Sequence, residues 1–501
     1  MSESDAPGSV RDSLVRNTFW YGVVTVFGLG AGLLMSIVLA RGLGPAAMGD
    51  YSYLLWALRV LTALASLGWA FATVRYTAES YARGERARAR GVVSFFLQRQ
   101  LLTTGIVAAA VIVLAFTLVE PRLRWPFVIL AVMLVPATVE GIYTHAVYGA
   151  QRYDLTTQTS TVKMALHLAA SIIAVAAGLD ILGLVVGLLL GSSVSCLIQR
   201  ARARALLGDT VARPPKAMHP EIRSYVASLS VVAVLDALVR DRSELFFLRM
   251  WAPSEEIAFY SLAFGLATRE MVIPEIAVGA LLPVFSALHG RGDREELHRV
   301  YRTAMRYVAL SGVPIAALMA ALAPGLVHWL YGLAYLPTAR LLSVLVVVAV
   351  VGALRKVAFA ALQAVGDRDC ALTATGMAVV VNVILAAALI PRYSTAGAVA
   401  ANSAAQVLAA VWAFRGMARR HGATVPVVEI AKIAAGSVLV FFVARIVAGD
   451  SHEIGRLVLA GSAGTAVFLP ILIGARLVGP REWTLLITST RRLLAPRASG
   501  A

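Results

Sequence analysis

The sequence predicts an all-α integral membrane protein with about fourteen transmembrane helices. The first observation is composition: 59% of the 501 residues are hydrophobic, 15% are charged, and the mean hydropathy is +0.77. Soluble domains usually contain about 25% charged residues. The second is that uniformly apolar runs of about twenty residues recur, each long enough to cross a hydrocarbon core about 30 Å thick. Because lipid offers the backbone no hydrogen-bond partners and barrel strands would alternate in polarity, these runs are predicted to be helices.

The predicted spans follow one another with short connections and no intervening soluble domain. They are 17–39, 50–73, 92–117, 125–149, 158–177, 181–199, 224–248, 257–285, 303–323, 340–363, 371–390, 395–416, 428–448 and 455–476.

Lys and Arg collect in every second connection, which predicts the orientation. The connection after the second span contains Arg75, Arg83, Arg86, Arg88 and Arg90, whereas the one after the third contains only Arg122 and Arg124. Positive residues remain on the cytoplasmic side. We therefore expect a multi-pass protein of the inner (cytoplasmic) membrane with both termini in the cytoplasm. The net charge of +17 is then explained by attraction to anionic membrane lipids rather than by nucleic-acid binding.

An internal repeat predicts the domain organisation. Tyr51-Ser52 is matched by Tyr260-Ser261, and both pairs follow a span and a short turn. Spans 1–6 and 7–12 then form two six-helix copies in the same orientation, as in parallel-repeat transporters. The predicted domains are an N-terminal lobe, a C-terminal lobe, an extra helix pair and a basic cytoplasmic tail, at 1–205, 220–420, 425–478 and 479–501.

Charged residues inside the spans are the candidate functional residues, because a charge near the bilayer centre is costly. Arg59 in span 2 and Arg269 in span 8 both lie about 15 Å deep by helix rise, at nearly equivalent positions of the repeat. Guanidinium groups pair well with phosphate. Two arginines facing one central cavity would therefore suit an anionic group. The alternative is that the charges within the spans only pair with one another and lock the helices.

The same spans contain further charged residues. Spans 4, 5, 7, 8 and 10 add Glu140, Lys163, Asp236, Arg240, Arg242, Glu244, Glu270, Glu275, Arg355 and Lys356. None of the patterns expected of an enzyme occurs: there is no nucleophile elbow, no metal-ligand spacing and no phosphate-binding P-loop. We therefore expect a non-enzymatic protein without a cofactor or a metal.

Several segments resemble a known family. The stretch Leu39–Ser52, LARGLGPAAMGDYS, is similar to the opening of Wzx-type polysaccharide flippases, of the multidrug/oligosaccharidyl-lipid/polysaccharide (MOP) exporter superfamily. Asp241–Leu248, Leu288–Arg306 and Val381–Ala401 resemble its later segments, and the likeness extends over about residues 15–415. The fourteen spans exceed the twelve that are common in the family.

This resemblance implies a two-lobed transporter with a central cationic cavity. It would move polyprenyl-pyrophosphate-linked oligosaccharides to the outer leaflet by alternating access, for surface polysaccharide biosynthesis. A polysaccharide polymerase and export machinery are the implied partners. The expected substrate-binding residues are Arg59, Lys163, Arg240, Arg242, Arg269, Arg355 and Lys356. The expected coupling or gating acids are Glu140, Asp236, Glu244, Glu270 and Glu275, with H⁺ or Na⁺ as the coupling ion.

Three alternatives remain at this point. A lipid II flippase of the same superfamily is favoured by the fourteen spans. A cation-coupled drug exporter would need an acid-rich N-terminal lobe, where Arg59 and Lys163 lie instead. A membrane-embedded glycosyltransferase or polymerase would need a long outer loop with acidic or histidine residues, which the sequence lacks.

Overall fold

The structure is a computed structural model, and it confirms the all-helical fold class. It describes residues 10–208, 226, 230, 242–279, 281–449 and 451–474, with side chains left out at 10–26, 273, 275–277 and 471–474. Within these residues, nine helices are long and apolar enough to cross a membrane. The chain is therefore a multi-pass membrane protein.

By contacts the chain divides into two compact units, Met1–Ser261 and Leu262–Ala501. The described helices of the first unit are α1 (Val10–Ser66), α2 (Trp69–Ala82), α3 (Arg86–Thr117), α4 (Pro121–Gly149), α5 (Tyr153–Ala176), α6 (Ile181–Leu207), α7 (Glu244–Trp251) and the first part of α8 (Ser254–Glu270). The second unit continues with α9 (Val272–Gly279), α10 (Leu281–Gly290), α11 (Arg294–Tyr331), a short 3₁₀ turn (Leu333–Tyr335), α12 (Pro337–Ala364), α13 (Arg368–His421), α14 (Val427–Ala448) and α15 (Ile454–Gly474). The predicted lobe limits, 1–205 and 220–420, stay a prediction.

Helix α1 contains predicted span 1 and most of span 2, which continues into α2, and α13 contains spans 11 and 12; a kink separates the two spans in each helix. In α1 the break is at Gly44, whose φ of 77° lies in the left-handed region and is followed by Pro45, which cannot donate a backbone hydrogen bond. In α13 the break is at Ser394, with φ 48°, just after Pro391. A Cβ added at Gly397 would meet the Leu389 carbonyl group at 2.6 Å, so the chain reverses direction at this break. Spans 1 and 2, and spans 11 and 12, are thus joined with almost no loop.

Packing inside each unit follows the helix order. In the first unit α4 packs on α3 and α6, and α1 packs on α5. In the second unit α11 contacts α12 and α14, α12 contacts α13, and α14 contacts α15. The predicted helix pair after span 12 is therefore α14 and α15, and α14 lies against α11 of the second unit. Many large apolar side chains remain exposed, such as Ile106, Val113 and Ile446, as expected for surfaces that face lipid.

Candidate functional site

A buried ion pair joins two of the predicted site residues in the first unit. Lys163 of α5 places its ammonium group 2.7 Å from Oε2 of Glu140 on α4. The other oxygen, Oε1, accepts a hydrogen bond of 2.7 Å from the Ser195 hydroxyl on α6. The Glu140 side chain is 11% exposed and that of Lys163 is 29% exposed. The Glu140 carboxylate thus connects three helices, and it forms an ion pair with the ammonium group of Lys163.

A row of polar contacts continues along α5 and α6 from this ion pair. The Thr159 hydroxyl donates to the Gln199 amide oxygen at 2.6 Å, and the Gln199 amide nitrogen donates to Thr156 at 3.1 Å. Arg202 then donates to the Leu155 carbonyl oxygen and, at 2.7 Å, to Thr159. This row satisfies polar groups that would be costly to bury alone. It also fixes Arg202 on the face of α6 that packs against α5.

The arginines predicted to bind an anion differ in their surroundings. Arg59 lies on α1 in the first unit and is exposed. Arg269 lies near the end of α8 in the second unit and is half-buried. Arg355 of α12 is half-buried, with its guanidinium group 4.9 Å from the centre of the Phe359 ring, whereas Lys356 is exposed. Their roles in binding a substrate stay a prediction.

The predicted acids are distributed over several elements. Glu244 begins α7, is fully buried and lies beside the Tyr260 hydroxyl, with Arg242 nearby in a turn at φ 55°. Glu270 is half-buried at the end of α8, and neither of its carboxylate oxygens has a hydrogen-bond partner among the described residues. Glu275 lies on α9, but its side chain is outside the described part. Asp236 and Arg240 lie entirely outside the described residues.

Sequence reasoning missed a second charged cluster in the first unit, which we call the Asp50 network (Asp50, Glu120, Arg122, Arg249 and Ser254). Asp50 of α1 is 2% exposed and accepts from Arg249 at 2.9 Å and from the Ser254 hydroxyl at 2.6 Å. Arg122 lies 3.2 Å from its other oxygen. Glu120 accepts from both arginines at 2.9 Å. The network ties the first turns of α4 and α8 and the last turn of α7 to α1.

Hydrogen bonding to these arginines lowers the pKa of Glu120. The hydrogen bond from Arg122 lowers the pKa of its carboxyl below the ordinary value, partial burial opposes this, and the nearby charge of Arg249 lowers the pKa further. A close backbone approach accompanies the network: a Cβ added at Gly49 would lie 1.7 Å from the Ser254 carbonyl oxygen. Only glycine fits here.

In each unit, the connections that contact one another are either all odd-numbered or all even-numbered. The Asp50 network brings together residues at the connections after predicted spans 1, 3 and 7. In the second unit, His298 contacts the His421 carbonyl oxygen at 2.6 Å, and Asp367 accepts from Arg420 at 3.0 Å and from His421 at 3.1 Å. These residues belong to the connections after spans 8, 10 and 12. The grouping agrees with the predicted alternation, while the end that faces the cytoplasm stays a prediction.

Asp367 also begins a helix. Its carboxylate accepts from the Cys370 backbone N–H at 3.2 Å as the N-cap of α13. Partial burial by itself raises the pKa of Asp367, but the hydrogen bonds from His421, the Cys370 backbone and Arg420 outweigh it and hold the pKa below its ordinary value. The carboxylate therefore links the start of α13 to its end.

A multi-pass helical fold with charged side chains inside its spans is typical of membrane transporters. The model of the family "Polysaccharide biosynthesis protein" matches residues 14–289, and that of "Lipid II flippase MurJ" matches residues 273–468. The chain belongs to the polysaccharide biosynthesis protein family, within the MOP superfamily of flippases and exporters. Among curated proteins, none matches this chain. Among the described residues, no three His, Cys, Asp or Glu side chains are grouped so that they could hold a metal ion.

Solved structures of the same superfamily share the fold. A lipid II flippase MurJ in an inward closed conformation has a TM-score of 0.75 at 13% identity, over 91% of this chain and 98% of that one. An inward-facing MATE family multidrug resistance transporter has a TM-score of 0.66 at 17% identity, over 78% and 94%. A MOP superfamily transporter from Pyrococcus furiosus has a TM-score of 0.58 at 17% identity, over 83% and 97%. Because the sequence identities are this low, the similarity to these structures shows a shared fold only.

Proposed function

We propose that the protein is a flippase for polyprenyl-pyrophosphate-linked oligosaccharide units, acting by alternating access in the cytoplasmic membrane for surface polysaccharide biosynthesis. The observation that carries the proposal is the match to the polysaccharide biosynthesis family over residues 14–289. That match includes the spans in which Arg59, Lys163 and Arg269 lie. In this proposal both termini are cytoplasmic, and a polymerase and export machinery take over the flipped unit.

The chemistry of such a substrate fits the charged residues of the spans. Its head is a pyrophosphate with sugars, so it needs a polar and positively charged path, while its polyprenyl tail can stay in lipid. Arg59, Arg269, Arg355 and Lys356 supply cations on predicted spans 2, 8 and 10. A guanidinium group can bind a phosphate with two parallel hydrogen bonds. Lys163 differs, because Glu140 already neutralises it. We assign it a positioning role rather than a direct one.

Glu270 is the most suitable of the acids for coupling to an ion. Its two oxygens are buried without a hydrogen-bond partner in the described part of the chain. A bare carboxylate in an apolar interior is expensive. Binding a proton or Na⁺ would remove that cost, and releasing it on the other side of the membrane would reverse the change.

Export of glycan by cells tests the pyrophosphate role. Arg59→Glu and Arg269→Glu are expected to abolish surface polysaccharide in cells that make the cognate glycan, and to leave lipid-linked repeat units inside. Arg415→Glu is the matched control, since Arg415 is an exposed arginine at the end of predicted span 12. Normal export by both span variants would refute the pyrophosphate role of these arginines.

A lipid II flippase is the second candidate, because the model of that family matches residues 273–468. The two candidates differ in the head group that is attached to the pyrophosphate, and both substrates bear the same kind of polyprenyl pyrophosphate. Proteoliposomes loaded with either substrate would distinguish them, with an impermeant sugar-modifying reagent reporting translocation. Faster translocation of lipid II would overturn our proposal. Imposed pH or Na⁺ gradients in the same vesicles identify the coupling ion, and a Glu270→Gln variant should lose the gradient dependence.

A further inference from the structure

A cavity with a basic rim and an apolar interior opens in the first unit between α3, α4 and α6. Its volume is about 530 Å³. Its described lining consists of Arg90, Arg200 and Arg204 together with mainly apolar side chains, among them Leu97, Leu101 and Leu197. No acidic residue is found among the lining residues that the structure describes. We call this space the basic cavity.

Three arginines form the rim, and the helices fix their direction. Arg200 and Arg204 are four residues apart on α6 and so lie on one face of it. Arg90 is in the second turn of α3. Arg202, between the other two on α6, is turned the opposite way and held by Thr159. The rim thus presents three arginines near the start of α3 and the end of α6, and Ser94 and Tyr143 line the same cavity.

The remaining lining is apolar and opens toward the membrane. Leu101 is 42% exposed and Leu197 is 62% exposed, and both stand on helices that cross the membrane. From Arg90 to Leu101 along α3 the distance is about 16 Å by helix rise. This suits a phosphate at the arginines and a good part of an acyl chain along the leucines. The rim belongs to the connections after spans 2 and 6, the predicted cytoplasmic side, where anionic lipids attract basic residues.

We propose that the basic cavity binds one anionic phospholipid of the surrounding leaflet. The arginines hold its phosphate, and the leucines of α3 and α6 hold the first part of an acyl chain. Charge complementarity selects this occupant, because Arg200 and Arg204 place two cations in a lining whose described residues include no acid, and this favours a lipid with net negative charge over a zwitterionic one. The apolar half of the lining favours a lipid over a soluble phosphate. None of the cavity's lining residues is among the cations assigned to transport.

Native mass spectrometry of the full-length protein, titrated with defined lipids, tests the proposal. The wild type should retain one phosphatidylglycerol at least tenfold better than phosphatidylcholine. The triple variant Arg90→Gln, Arg200→Gln, Arg204→Gln should lose that preference. The control is Arg368→Gln, Arg415→Gln, Arg419→Gln, which removes the same charge from exposed arginines at the predicted cytoplasmic side. It should change retention less than twofold.

Two competitors distinguish a phospholipid site from a plain anion site and from a substrate site. Excess inorganic phosphate or a soluble polyprenyl-pyrophosphate analogue should not displace the bound phosphatidylglycerol from the wild type. Displacement by either would overturn the proposal. Equal loss in both triple variants, or equal retention of the two phospholipids by the wild type, would also refute it. Leu197→Glu is a further variant, which keeps the arginines and should weaken retention through the acyl chain.

Discussion

Removing the charge of Asp50 should destabilise the first unit by about 3 kcal/mol. Its carboxylate is 2% exposed and pairs with Arg249, whose side chain is 15% exposed. Breaking a buried ion pair by altering one partner costs about 3–5 kcal/mol, because the other charge stays buried. In Asp50→Asn, Arg249 keeps Glu120 as a partner at 2.9 Å. We therefore expect the lower end of that range. Thermal and denaturant unfolding of purified protein in detergent measures it.

Glu120→Gln is the matched control for this experiment. Glu120 contacts the same two arginines, but its side chain is 55% exposed. Exposed ion pairs contribute at most about 1 kcal/mol and are screened by salt. The Asp50→Asn penalty should therefore exceed that of Glu120→Gln and should persist in high salt. Equal penalties for the two variants, or a wild-type stability for Asp50→Asn, would refute the argument from burial.

The control also has a defined pH dependence. The pKa of Glu120 is lowered in the folded protein by its hydrogen bond with Arg122, so its contribution is present above the unfolded pKa of about 4.3. That contribution is lost as the pH falls through the lowered folded value. The small difference between wild type and Glu120→Gln should thus be seen at neutral pH and vanish well below pH 4. A difference that grows on acidification would contradict this sign.

Three other changes have expected outcomes. Lys163→Met should cost about 3 kcal/mol by leaving Glu140 buried, whereas the double variant Lys163→Met, Glu140→Leu should recover most of it in an unfolding titration. Asp367→Ala should lower stability by about 1 kcal/mol through the lost N-cap, with Asp367→Asn milder. Because the pKa of Asp367 is lowered in the folded protein, this effect should be full above the unfolded pKa of about 3.9 and should shrink only as the pH falls below that value, through the lower folded pKa. Gly49→Ala should cost at least about 3 kcal/mol, the upper end of ordinary overpacking, because its Cβ would meet the Ser254 backbone carbonyl, while Gly30→Ala, with nothing within 4 Å, should stay within about 1 kcal/mol of wild type.

The membrane fold was accessible from the sequence because it depends on hydrophobicity summed over long runs. Helices are found at every predicted span in the described residues, and the alternation of basic connections agrees with which connections meet. The ends of the helices were less predictable. Span 9 was predicted at 303–323, yet α11 extends from Arg294 to Tyr331, because polar and charged turns continue a helix beyond the apolar core. Hydropathy predicts where the chain enters the lipid, whereas the N-cap residue Asp293 marks where the helix begins.

The partners of the charged residues were less accessible. The sequence identified Glu140 and Lys163 as residues inside spans but treated one as an acid for coupling and the other as a cation for substrate. Their pairing depends on how α4 and α5 rotate about their axes, which span prediction leaves open. The Asp50 network was missed because its members stand at span ends, where charges are common and carry no signal individually. These residues form one cluster only because the connections after predicted spans 1, 3 and 7 lie close together in the folded chain.

The reversal at Ser394 has a consequence for how the chain enters the membrane during synthesis. Gly397 lies so close to the Leu389 backbone that the two arms of α13 are joined without a polar loop between them. The arms would therefore pass into the bilayer together as a closed hairpin, the second arm following the first before the first is released. An insertion of a few polar residues between Tyr393 and Thr395 should lengthen the time between the insertion of the first arm and that of the second. A glycosylation or protease-cleavage site placed in the inserted segment would measure this time.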